Sequence, residues 1–102
     1  MNDIDNIKNY KFYKNLTNLN FIKEIWLFGS RARSDNQDRS DIDLAILLDN
    51  NASINDWLKV KTIIDDADTL LKIDCIKLND LKNSSDLKIA IMQQGIKLYA
   101  RL

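Results

Sequence analysis

Apolar positions along the chain switch between helical and extended spacing. Ile4, Ile7, Leu16 and Leu19, with Phe12 between, fall roughly on one face and predict a helix over 3–19 that Asp3 can cap. EIWLFG, residues 24–29, reads as a strand ending at Gly29. DIDLAILL, 41–48, reads as a second strand. From Leu44 it shows no alternation, which predicts a central strand buried on both sides. Ser53 with Asp56 resembles a capping box. It opens a helix over about 54–71, with Trp57, Leu58, Lys61, Ile64, Ala67 and Leu71 down one side. KIDCIKL, 72–78, is a third strand. Ser84 or Ser85 caps a last helix through Gln94, with Asp86 suiting its positive end. Gly95 is expected to stop that helix in a left-handed conformation. IKLYA, 96–100, reads as a fourth strand.

The order helix, strand, strand, helix, strand, helix, strand predicts an α/β (α+β) fold. One mixed sheet of about four strands would carry helices mainly on one face. The face near Asp41 and Asp43 is left without an obvious cover. The chain of 102 residues fits one domain, with an N-terminal helix over 1–20 and a core over 22–100.

Composition narrows the chemistry. Apolar residues make up 45%, enough for a packed core. Fifteen basic residues balance fifteen acidic ones, so no global field draws the protein to nucleic acid or membrane. The chain has no histidine, which removes histidine-based catalysis and almost every zinc site. Its single cysteine, Cys75, excludes an internal disulfide and reads as a small buried apolar residue. A metal would need oxygen ligands, hence Mg²⁺, Mn²⁺ or Ca²⁺. MNDIDNIKNY lacks a basic-then-apolar signal, and the longest apolar run, Leu44 to Leu48, is too short to span a membrane. The expectation is a cytoplasmic protein.

The chemistry concentrates in LFGSRARSDNQDRSDIDLAILL, residues 27–48. Asp41 and Asp43 point to the same side of a strand, roughly 6.6 Å apart. Unaided they repel, and one carboxyl would be raised. Two divalent cations about 3.5–4 Å apart would relieve this and call for a third carboxylate. Asp74, flanked by Ile73 and Cys75 on the next strand, fits that place. Gly29 lets backbone approach a ligand, and Ser30 offers a hydroxyl and an N–H to phosphate. Arg31 and Arg33 either contact phosphate or solvate the loop, and Arg39 reads as a surface charge. From Arg31 to Asp43 three arginines face four aspartates, net −1, so nucleotide binding should depend on metal. Trp57 reads as core, and Trp26 as core or a partner-facing patch. The acidic run Asp65, Asp66 and Asp68 reads as a solvated face, or as one that meets a basic partner.

Gly29-Ser30, ten residues, then Asp41-Ile42-Asp43 resembles the signature of the DNA polymerase β-like nucleotidyltransferases. Gly29, Ser30, Arg31, Ala32, Arg33, then Ser40, Asp41, Ile42, Asp43 and Leu44 are most similar to the minimal nucleotidyltransferases, MNT. The likeness covers roughly residues 22–100. Ser34 departs from it, because the family often has glycine there. The resemblance implies that Gly29 and Ser30, with Arg31, Arg33 and Ser40, hold the nucleotide. It implies that Asp41, Asp43 and Asp74 bind Mg²⁺, with two ions and Mn²⁺ as an alternative, and that Asp74 serves as base. It also implies ATP as substrate and a separate helical HEPN partner. In such pairs the MNT antitoxin transfers AMP to a tyrosine of the HEPN toxin. Two alternatives stay open: an antitoxin that neutralises by binding alone, and a nucleotide-binding subunit of a two-part transferase for a small molecule.

Overall fold

A computed structural model of the chain describes residues 3–102. Strands β1 (Ile22–Phe28), β2 (Ile42–Leu48), β3 (Ile73–Lys77) and β4 (Ile96–Ala100) form one mixed sheet in the order β3-β2-β1-β4. β1 runs antiparallel to both β2 and β4, whereas β2 and β3 are parallel. Helix α4 (Ile54–Asp65) makes the crossover that a parallel pair requires.

The pleat divides the strands' side chains between two faces. Ile25, Leu27, Leu44, Ile46 and Leu48 point to the larger core. There they meet Ile7 of α1 (Asp3–Asn9), Phe12 and Leu16 of α2 (Lys11–Thr17), and Val60 and Ile64 of α4. Trp26, Phe28, Ala45 and Leu47 point the other way. That side is not bare, contrary to the sequence expectation. Leu78 of a single 3₁₀ turn (Leu78–Asp80) and Ile91 of α5 (Asp86–Gln94) close a second, smaller cluster over it.

Four local expectations are corrected. The helix over 3–19 is two helices, broken at Tyr10, whose backbone is extended (φ −67°, ψ 147°). The step from Ile7 to Phe12 is five residues, which would turn a continuous helix by roughly 140° and carry Phe12 off the core face. Asp3 does not act as the cap; it is the first residue of α1, and its carboxylate serves Arg31. α4 ends at Asp65 rather than near 71. Acidic residues at a helix C-terminus oppose its dipole, and Asp68 is used elsewhere: it accepts from the N–H groups of Lys11 and Phe12 at 2.9 and 3.1 Å, capping α2. Gly95 is extended (φ −72°, ψ 160°), not left-handed. A Cβ there would run into the carbonyls of Ile91 and Leu27, so close approach is what requires glycine.

Candidate active site

The Ser53–Asp56 capping box forms as the sequence predicts and fixes the start of the crossover helix. That crossover sets β3 beside β2 with Asp74 directly opposite Asp43. Residues paired in parallel register share a face, here the one holding Phe28, the antiparallel partner of Asp43. Asp41 lies one residue before β2 begins.

Burial raises the Asp43 carboxyl above the ordinary carboxylate range, and the charges of Asp74 and Asp41 add to that. A hydrogen bond between the Asp43 and Asp74 side chains works in the same direction, while Arg33 opposes it. Such crowding of acids is a place where bound positive charge is favourable. Among the described residues no three metal-ligating side chains close into a ready-made cage. The donor set nonetheless fits a hard divalent cation, which readily completes its shell with water or phosphate oxygens.

β1 delivers Gly29 to the same place. Its backbone (φ 74°, ψ −154°) is one that L side chains avoid. A Cβ on Gly29 would collide with the Asp43 carboxylate. The Gly29 carbonyl accepts from Ala32 and Arg33, so Ser30 opens the short helix α3 (Ser30–Arg33) beside the aspartates. Ser34 follows in the left-handed conformation (φ 62°, ψ 27°) that glycine would take without cost.

Two expected nucleotide ligands are occupied by the loop itself. Arg31 is 7% exposed. Its guanidinium donates twice to the Ser40 carbonyl at 3.1 and 2.8 Å, once to that of Asp38 at 3.1 Å, and once to Asp3 Oδ1 at 3.0 Å. The Ser40 hydroxyl accepts from the Gln37 N–H at 2.9 Å. Arg33 is different: it is exposed, paired only at the surface with Asp35 at 3.1 Å, and close enough to act on Asp43.

Sequence alone gave Lys72 no part in the site and gave Asp3 only a capping one. Lys72 lies 3.5 Å from Asp74 and shares a recess of about 420 Å³ with Arg39, Asp41, Leu70 and Leu71. Its signal was available, since two residues before Asp74 on a strand means the same face. The pairing of Asp3 with Arg31 gave no local signal, because the two lie 28 residues apart.

A four-stranded mixed sheet with a glycine-serine turn set against paired aspartates is an architecture of nucleotidyl transfer. Residues 10–101 match the family described as Polymerase beta, Nucleotidyltransferase, and the chain belongs to that family. No curated protein matches the sequence. Among solved structures, a toxin–antitoxin with AMP-PNP is 24% identical with a TM-score of 0.58, covering 97% of this chain and 74% of that one. The toxin–antitoxin MntA-HepT is 24% identical with a TM-score of 0.52, covering 96% and 70%. A tri-AMPylated HEPN toxin of Shewanella oneidensis in complex with MNT antitoxin is 22% identical with a TM-score of 0.54, covering 96% and 70%. These likenesses establish the shared fold. No helix among the described residues is long and apolar enough to cross a membrane.

Proposed function

We propose that this chain is a minimal nucleotidyltransferase that moves AMP from ATP to a hydroxyl of a partner protein, a tyrosine of a HEPN toxin, and thereby acts as its antitoxin. The observation that carries the reading is Asp43 set beside Asp74, near Asp41 and against Gly29, in a chain of the nucleotidyltransferase family. Further support comes from the similar structures, which hold toxin–antitoxin pairs, one with AMP-PNP and one with an AMPylated HEPN toxin.

In this reading Asp41, Asp43 and Asp74 hold Mg²⁺. Bound divalent cations stabilise the charge on the phosphoryl oxygens and on the leaving group. Gly29 and Ser30 receive the phosphates through backbone and hydroxyl, and Arg33 supplies the side-chain cation in place of Arg31. The acceptor oxygen bonds to the α-phosphorus as the bond from that phosphorus to the α–β bridging oxygen breaks. Pyrophosphate leaves, and the acceptor proton passes to the Asp74 carboxylate. The Lys72–Asp74 pair is exposed on the lysine side, so Lys72 can move off as the acceptor arrives.

Incubating the purified pair with α-labelled ATP tests this. Label should reach the partner with wild type and not with Asp43→Asn. Absence of label with the wild-type pair, in the presence of Mg²⁺, would falsify transfer.

One observation favours a second reading, a non-catalytic antitoxin: Asp74 already has a lysine partner. The double change Asp41→Asn, Asp43→Asn separates the two. Neutralisation retained by that variant supports binding alone. Neutralisation lost while the complex still forms supports chemistry.

A further inference from the structure

Among the described residues, Arg31 is the one charged side chain that the fold buries. Three of its four hydrogen bonds go to carbonyls of the loop that ends at Asp41, and two of those three end on Ser40, the residue just before it. The grip of Arg31 therefore fixes the main chain from which Asp41 projects. The fourth bond goes to Asp3, a 3.0 Å ion pair with a helix outside the loop. That helix, α1, precedes the residues matched by the family model, which begin at residue 10.

A buried guanidinium needs a full anionic partner, because carbonyls satisfy its donors but not its charge. Asp3 supplies that partner, and Ile7, 2% exposed, anchors the same helix in the core. The pair is not sealed by packing. A mainly polar cavity of about 240 Å³ lies beside it, and its lining includes Asp3, Asn6, Arg31 and Asp38 along with Ile7 and Ile42. An ion pair open to water on one side can break and re-form without unfolding the sheet.

We propose that α1 is a latch on the loop that carries Asp41, closed by Asp3, and that Arg31 is a positioning residue for the nucleotide site. The latch stands on contacts in the fold; its consequence for nucleotide rests on the function proposed above. The amides of Asp35 and Ser40, which donate to the Ser30 and Gln37 carbonyls, report on the loop. Those shared by β1 and β2 report on the whole fold.

In hydrogen exchange on the full chain, Asp3→Asn should speed the loop amides about tenfold and leave the β1–β2 amides unchanged. Asp3→Glu should restore most of the protection. Affinity for ATP in excess Mg²⁺ should fall roughly fivefold to tenfold in Asp3→Asn and recover in Asp3→Glu. Unchanged loop exchange, or an equal rise throughout the chain, overturns the latch. A loosened loop with unaltered ATP affinity overturns the positioning role. Should wild type take up no ATP, the nucleotide reading fails, while loop exchange still decides the latch.

Discussion

Asp43 and Asp74 stand opposite each other in the parallel β2–β3 register, two carboxyls on one face of the sheet. Burial first, then the charges of Asp74 and Asp41, push the Asp43 carboxyl up. A carboxyl raised by folding binds its proton more tightly in the folded state. Its favourable contribution is therefore present at low pH and is lost as pH rises through its folded range. Metal-free Asp43→Asn should melt a few degrees above wild type near neutral pH. The gap should close as the solution is acidified and wild-type Asp43 takes up its proton. Mg²⁺ with ATP should reverse the order, raising the midpoint of wild type alone. Thermal melts at neutral and acidic pH, with and without Mg²⁺ and ATP, check all three statements.

Gly29 joins the glycine-serine turn to this pair. Its positive φ excludes ordinary side chains, and the space where a Cβ would stand is filled by the Asp43 carboxylate. Gly29→Ala should cost about 1–3 kcal/mol. It should also displace Asp43, so ATP affinity should fall further than the lost stability explains. Denaturant unfolding and calorimetric titration measure the two effects on the same sample. A variant that melts lower yet binds ATP as wild type does would contradict this account of the turn.

What could be read in the sequence was what neighbouring residues decide. The strands follow from the apolar runs around Ile25 and Leu44. The Ser53–Asp56 box is complete within four residues, and its two hydrogen bonds form at 3.1 and 3.0 Å. Asp41 and Asp43 are two residues apart at the entrance to β2, close enough for the charge of Asp41 to act on Asp43. What stayed hidden depends on partners far along the chain. Arg31 could be placed in the loop, but not assigned to it, because Asp3 and the Ser40 carbonyl meet it only through the fold. The role of Gly95 lay in two carbonyls from different elements, one of them Leu27. The break at Tyr10 was legible in the five-residue step from Ile7 to Phe12, yet the surrounding helical spacing masked it.

Ser34 ends α3 in a left-handed conformation without the residue best suited to it. An L residue there loses roughly 1–2 kcal/mol, of which glycine's greater freedom in the unfolded chain takes back part. Ser34→Gly should therefore stabilise the protein by about 0.5–1 kcal/mol. The turn already has the shape glycine prefers, so the site geometry should be unchanged. Chemical denaturation should give a higher midpoint with the same slope. A lower midpoint would mean that the Ser34 side chain has a role that its backbone angles do not reveal.

Asp68 caps α2 from 57 residues away, where Tyr10 provides no side-chain cap of its own. Hydrogen bonds from the Lys11 N–H, and then from the Phe12 N–H, hold its carboxyl below the ordinary value, with the Lys11 charge assisting. For a depressed carboxyl the sign is the reverse of that for Asp43. Its contribution is present above the unfolded value and is lost as pH falls through the folded one. Asp68→Ala should lower the melting midpoint at neutral pH and leave the first turn of α2 with two unsatisfied donors. Asp68→Asn, whose amide oxygen still accepts, should recover part of the loss and should lack the decline on acidification that belongs to Asp68. Exchange rates at the Lys11 and Phe12 amides give the local readout, and they should rise in Asp68→Ala before any change in β1 or β2. If those amides keep wild-type protection, α2 is capped by something other than this carboxylate, and the early end of α4 needs another cause.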